Sequence, residues 1–164
     1  MKKRCFIAMA SLTLMVVAVE AQTTRVQWQR GTDFTKYQTY AWTEGTHVDD
    51  DANHRVIMEY VDAQLGINGI FTDEEEPDLY VAYHASATQN FQLSGGYSHD
   101  WSGTSPITAK DYLSGTLVVD LIDAKGGNVI WRATATASVV DDPAKNRGTV
   151  EKALEKMFAD FPPG

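Results

Sequence analysis

Residues Gly115 to Ala137 read GTLVVDLIDAKGGNVIWRATATA, two stretches that alternate apolar and polar side chains on either side of Lys125-Gly126-Gly127. A period of two is the signature of a strand with one buried face, and two such runs around a Gly-Gly turn make a β-hairpin. Loop length then decides register. A two-residue loop would set apolar Leu121 against Arg132, whereas a three-residue loop pairs Leu121 with Trp131, Val119 with Ala133 and Asp120 with Arg132. Only the odd loop brings like faces together, and it calls for a left-handed glycine forming a bulge, assigned here to Gly127. Trp131 is thereby expected in the core, with Asp120 and Arg132 on the other face as a cross-strand pair worth about 0.2–1 kcal/mol.

The same pattern recurs upstream. Arg25-Val26-Gln27-Trp28 and Thr39-Tyr40-Ala41-Trp42 alternate and carry aromatic or β-branched residues, so both are expected strands, with Asp33-Phe34-Thr35-Lys36-Tyr37 as a turn between them. In DEEEPDLYVAYHA, Asp73 to Ala85, the acids stop before the strand begins. Leu79, Val81, Tyr83, Ala85 and Ala87 fall on one face, while Asp78, His84, Ser86 and Thr88 fall on the other. Pro77 suits the junction because a missing N–H costs little there, and Glu74, Glu75 and Glu76 read as a solvated run.

Two helices complete the pattern. Asp49, Asp50 and Asp51 offer cap and first-turn carboxylates to a helix with Ile57, Tyr60, Val61 and Leu65 at helical spacing and Gly66 as its expected stop. Val150, Ala153, Leu154, Met157, Phe158 and Phe161 form a second stripe closed by Pro162-Pro163. It starts either at Asp142-Pro143 or near Asn146, since Gly148 weakens the first turn by roughly 1 kcal/mol. Gly45 to Asp51 and Ser94 to Asp111 read as loops. The expected fold class is α+β, in the order β-β-α-β-β-β-α: an antiparallel or mixed sheet of about five strands with two helices packed on one face.

Lys2, Lys3 and Arg4 precede an uncharged, largely apolar run of 15 residues, Cys5 to Val19, that ends in Val19-Glu20-Ala21. This reads as a secretory signal peptide over residues 1–21, cleaved near Ala21-Gln22; the run is shorter than the roughly 20 residues of a spanning helix. The expected location is the periplasm or the exterior. Residues 22–164 then form a single domain, long enough to bury about two thirds of the unfolded surface. The chain's one cysteine, Cys5, lies at the start of the apolar run, so no lipidation cysteine, disulfide or stable membrane anchor is expected after cleavage. Of 14 basic and 22 acidic residues, three and one belong to the leader, leaving a net charge of −10. That balance argues against nucleic acid and anionic membrane surfaces as partners, because both need clustered Lys and Arg.

Taken in order, Asp33-Phe34-Thr35-Lys36-Tyr37 before Thr39-Tyr40-Ala41-Trp42, then Pro77-Asp78-Leu79-Tyr80-Val81-Ala82-Tyr83, then the hairpin from Gly115 to Asp123 with Ile130-Trp131-Arg132, and the ending Met157 to Pro163 make a pattern. It resembles the bacterial domain of unknown function 4136 family, a group of exported envelope proteins, over nearly all of the chain after the leader. The resemblance implies an α+β envelope domain, often lipid-anchored in relatives, with no established activity or catalytic residues to carry over. The missing lipidation cysteine departs from many members.

Candidate chemistries are thin. His47, Asp49, Asp51, Asn53 and His54 crowd eight residues, but a calcium-binding EF-hand loop starting at Asp49 needs glycine where His54 stands and glutamate where Tyr60 stands. No metal site is assigned and no cofactor motif is present; a transition-metal site from His47 and His54 would rest on spacing alone. Gly96-Tyr97-Ser98-His99-Asp100 places serine, histidine and aspartate side by side, yet a triad needs the imidazole between the other two, and neighbours on an extended chain point apart. Asp100 also stands where a nucleophile elbow needs glycine. A glycosidase would call on carboxylates such as Asp78 and Asp120. No catalytic residue is assigned. Tyr97, His99 and Trp101 in a glycine-bearing loop, with His84 on the polar strand face, are the candidate binding residues. The expectation is a non-enzymatic binding or accessory module whose partner is an envelope protein or a glycan. The alternative is a small glycan- or metal-binding protein or hydrolase using His84, His99 or the His47–His54 region.

Overall fold

A computed structural model describes residues 22–46, 50–94 and 108–162. In chain order the elements are β1 (Thr23–Trp28), β2 (Thr39–Trp42), α1 (Asp51–Ile67), β3 (Phe71–Thr72), β4 (Leu79–Ser94), β5 (Thr108–Asp123), β6 (Val129–Val139) and α2 (Pro143–Phe158), with a 3₁₀ turn at Phe34–Lys36. All six strands join one sheet in the spatial order β1-β6-β5-β4-β2-β3. The pairs β1·β6, β6·β5 and β5·β4 are antiparallel, and β4·β2 and β2·β3 are parallel, so the sheet is mixed. β3 is the strand beyond the expected five, too short to carry an alternation of its own.

The hairpin has the register that the face-matching argument requires: Leu121 lies opposite Trp131, Asp120 opposite Arg132 and Val119 opposite Ala133. Gly127 is left-handed, with φ +68°, and nothing stands within 4 Å of where its Cβ would be. The bulge itself lies elsewhere. Ile122 pairs with Val129, so the unpaired extra residue is Ile130, and its side chain is buried. Burial of an isoleucine, about 1.5–3 kcal/mol, favours placing the irregularity under the core edge over placing it at the solvated tip.

Period two in the strands assembles the core. Leu79, Val81 and Tyr83 of β4, Leu117, Val119 and Leu121 of β5, and Trp131, Ala133 and Ala135 of β6 point to one face, where they meet Ile57, Val61 and Leu65 of α1 and Ala153, Leu154, Met157 and Phe158 of α2. Both helices cover this face and touch each other.

The helix ends follow from local chemistry. Asp50 caps α1, its carboxylate accepting from the Asn53 N–H at 2.7 Å. At the other end the helix passes through Gly66 and stops at Gly69, φ +77°, where the Ile70 N–H reaches Leu65 C=O and the Gly69 N–H reaches Gly66 C=O, each at 3.0 Å. This is a Schellman ending, and it needs its left-handed residue one place past the cap; hence the stop at Gly69 and not Gly66. Asp142 caps α2 with Pro143 in the first turn, which settles the choice between the two starts.

β4 and β5 are 16 residues each, longer than the alternation indicated. Of the interval Ser94 to Asp111 read as a loop, Ser94 and residues 108–111 belong to strands, paired as Ser94 with Thr108 through Phe91 with Asp111.

Candidate functional site

Where β4, β5 and β6 run past the bulky part of the core, their helix-facing residues become small: Ala85 and Ala87, Gly115, then Ala135 and Ala137. α1 and α2 cross above them with Asn53 and Ile57 and with Asn146, Val150 and Ala153, and the space left between is a partly open cleft of about 290 Å³. Its walls are mostly apolar, with Ser86, Thr116 and Thr149 beside the two asparagines, and carry no formal charge. That volume is near the lower end of small-molecule sites, roughly 300–1,000 Å³. Gly115 is small of necessity, because a Cβ there would meet Val139 Cγ1 at 2.8 Å. Asn146 closes one end by bonding both the N–H and the C=O of Val140, at 2.9 and 2.7 Å.

Beside the cleft, on the same face, lies a half-buried polar cluster. Asp62 of α1 accepts from the Tyr40 hydroxyl at 2.5 Å and from the Trp42 indole N–H at 2.9 Å. Trp42 stacks edge-on to Tyr83, whose hydroxyl is bonded to His54 Nδ1. Burial, reinforced by the adjacent Asp62 carboxylate, pushes Tyr40 up to about 12. The arrangement pins α1 to β2 and β4. One consequence can be measured. An unfolded tyrosine ionises near 10, so between pH 10 and about 12 the unfolded chain loses a proton that native Tyr40 keeps. Stability is therefore expected to fall through that window, and Tyr40→Phe should flatten this part of the profile when denaturation midpoints are compared at pH 9, 10 and 11.

Of the sequence-assigned binding residues only His84 is described. Tyr97, His99 and Trp101 lie outside the described residues, as does His47. His84 follows Tyr83 in β4 and so points to the opposite face, where its Nδ1 accepts the Thr46 N–H at 3.1 Å and lies 3.2 Å from the Thr46 hydroxyl. Accepting that N–H leaves Nδ1 bare and puts the ring proton on Nε2. His84 thus fastens the Thr43–Thr46 segment to β4, while His54 sits on the helix side. The carboxylates are occupied too. Asp78 accepts from the N–H groups of Gln38 and Thr39 at 3.0 and 3.3 Å, and these bonds hold it below the usual carboxylate range. Asp120 forms a two-point pair with Arg132. Asp73 caps its own loop by accepting from the Glu75 and Glu76 N–H groups. Among the described residues no group of three or more His, Cys, Asp or Glu is placed to hold a metal ion.

The family model described as "Domain of unknown function (DUF4136)" matches residues 22–163. The chain belongs to this family. No curated protein matches the sequence. Among solved structures, this DUF4136 chain is similar to a PDZ domain protein from Parabacteroides distasonis, at 17% identity and a TM-score of 0.58, over 88% of this chain and 37% of that one. It thus spans little more than a third of that protein, and the likeness is one of fold. The DUF4136 chain is also similar to the PelC dodecamer from Paraburkholderia phytofirmans, with 11% identity, TM-score 0.47 and coverage of 84% and 97%. A minor lipoprotein from Acinetobacter baumannii matches with 15% identity, TM-score 0.39 and coverage of 76% and 92%. Among the described residues of the DUF4136 chain no helix is long and apolar enough to cross a membrane.

The cleft was not among the sequence-assigned sites. Its signal was present as small residues in the buried phase of three adjacent strands, Ala85-x-Ala87, Gly115 and Ala133-x-Ala135-x-Ala137, aligned only once the register is known.

Proposed function

We propose that this DUF4136 protein is an exported, non-enzymatic binding module of the bacterial envelope, and that it binds through the apolar cleft between the sheet and the first turns of its two helices. The observation that carries the reading is the uncharged lining of that cleft, formed by small side chains on a rigid sheet. Such a surface recognises shape and apolar area, and it holds no histidine or charged side chain to act as acid or base in turnover. The leader-like residues 1–21 support export. His54 and His84, placed on opposite sides of the sheet, do not build a common polar site, which weakens the glycan, metal or hydrolase alternative.

The test is titration of the chain after its leader with Nile red, a neutral apolar fluorophore. Saturable fluorescence enhancement is expected, with an affinity at least fivefold weaker in Ala137→Leu, whose added carbons occupy the cleft. Enhancement that is absent, or equal in the variant, overturns the assignment.

A further inference from the structure

Resting on the cleft reading, we infer that the partner is an extended peptide segment that adds a strand to the outer edge of β4 and lowers an apolar side chain, flanked by lysine or arginine, into the cleft. The edge is set by hydrogen-bond direction. The Ala85 N–H points outward to Thr46 C=O at 2.8 Å, and Val81 C=O accepts from the Thr43 N–H on the same side. Backbone direction repeats every second residue in a strand, so the N–H and C=O of Ala87 and Gln89 face outward as well. Past the bridge between Thr46 and His84, β4 runs on to Ser94 paired only with β5 among the described residues. An edge with no partner strand among the described residues is a template for another strand. Ala87 is at once an edge residue and a wall of the cleft, so a strand laid along this edge directs alternate side chains to the helix side, next to Asn53 and Ile57.

Charge selects among occupants. Asp50 and Asp51 open α1, and Asp141 and Asp142 precede α2, each within about one turn of a residue lining the cleft. Against them stand Arg55, Lys145, paired with Asp142 at 3.2 Å, and Arg147, which Glu151 offsets at 2.9 Å, and the two helix N-termini contribute roughly half a positive charge each. The rim stays negative, on a chain of net charge −10 after its leader. A fatty acid carboxylate or a second copy of this protein would bring like charge; a basic peptide brings the opposite one.

The experiment selects a displayed random-peptide library on the immobilised chain and measures the winning peptide by fluorescence anisotropy. Enriched sequences are expected to alternate apolar and polar residues beside Lys or Arg, and to bind more weakly as salt rises. Gln89→Pro, at a residue that does not line the cleft, removes one outward N–H but no bond to β5, a change that edge strands tolerate. It should weaken the peptide at least tenfold with an unchanged circular dichroism spectrum while leaving Nile red binding intact, whereas Ala137→Leu should weaken both. A library that yields no enrichment, or a peptide that binds Gln89→Pro as well as the original chain, overturns the strand-addition proposal. Because Nile red reports the cleft alone, its persistence in that case leaves the cleft reading standing, and its loss removes both.

Discussion

Trp131→Ala is expected to lower folding stability by about 4 kcal/mol, in the range for removing a large buried aromatic, out of the roughly 5–15 kcal/mol that holds a domain together. Trp131 is 1% exposed and sits in an aromatic box, with ring centres 4.9 Å from Phe158 and 5.2 Å from Phe161, which in turn packs edge-on to Phe34 at 5.7 Å. One ring therefore joins β6, α2, the segment after α2 and the turn before β2. Truncation leaves a cavity that four separate pieces of chain would have to move to close. The guanidinium midpoint should fall by about 1 M, taking a slope of roughly 4 kcal/mol/M. The indole N–H has no hydrogen-bond partner among the described residues, and a buried unpaired donor costs about 1–3 kcal/mol. Trp131→Phe, which keeps most of the ring and deletes the donor, should therefore cost only about 1 kcal/mol. A phenylalanine variant as unstable as the alanine one would show that the volume of the six-membered half of the indole, and not the aromatic box as a whole, sets the stability.

That tryptophan was legible as core from sequence because its neighbours alternate and the loop length permits one face-matched register. The same reasoning found the Asp120–Arg132 pair, a case in which a local rule and the global fold agree; cap chemistry narrowed the start of α1 to Asp49, Asp50 or Asp51 and that of α2 to Asp142 or Asn146, and the fold selects Asp50 and Asp142. The far ends of the two longest strands were less legible. β4 runs on to Ser94 and β5 begins at Thr108, and an antiparallel pairing of that length joins two segments without leaving in either one a mark of where it stops. β3 was hidden for a different reason. Phe71 and Thr72 are held by β2, whose own parallel partner β4 lies tens of residues away, and long-range parallel pairing leaves no mark within either segment. The bulge was displaced from Gly127 to Ile130 because glycine marks permissive backbone, whereas burial decides which residue is extruded from the ladder. As for the cleft, each of its alanines looks like ordinary core. Only the register between three strands shows that the small residues coincide and that nothing opposite them is large enough to fill the gap.

Arg132→Met is expected to destabilise the domain by about 3 kcal/mol, while the double variant Asp120→Leu/Arg132→Met should return to within about 1 kcal/mol of the starting protein. Asp120 lies at 2% exposure on the face of the sheet that bears no helix, and the Arg132 guanidinium meets it with two bonds of 2.6 Å. That contact also raises the basicity of Arg132 through the bonds themselves and the adjacent negative charge. The two partners are unequally placed, since the Arg132 side chain is 48% exposed and the Asp120 side chain 3%. Losing the arginine therefore removes the only cation among the described residues bonded to Asp120 and strands a dehydrated carboxylate between Ala82 and the open-face side chains, which is the expensive way to break a buried pair. Losing both charges strands nothing, and leucine beside methionine recovers apolar contact with Val118 and Ile122, the same-face neighbours in β5. Urea midpoints of the four proteins close a double-mutant cycle. A coupling energy above about 2 kcal/mol would mean that the pair acts as a unit holding β5 to β6 at the centre of the sheet. Additive single losses would mean instead that water reaches Asp120 readily enough to stand in for the arginine, and that the contact is worth no more than the 0.2–1 kcal/mol of an ordinary surface pair.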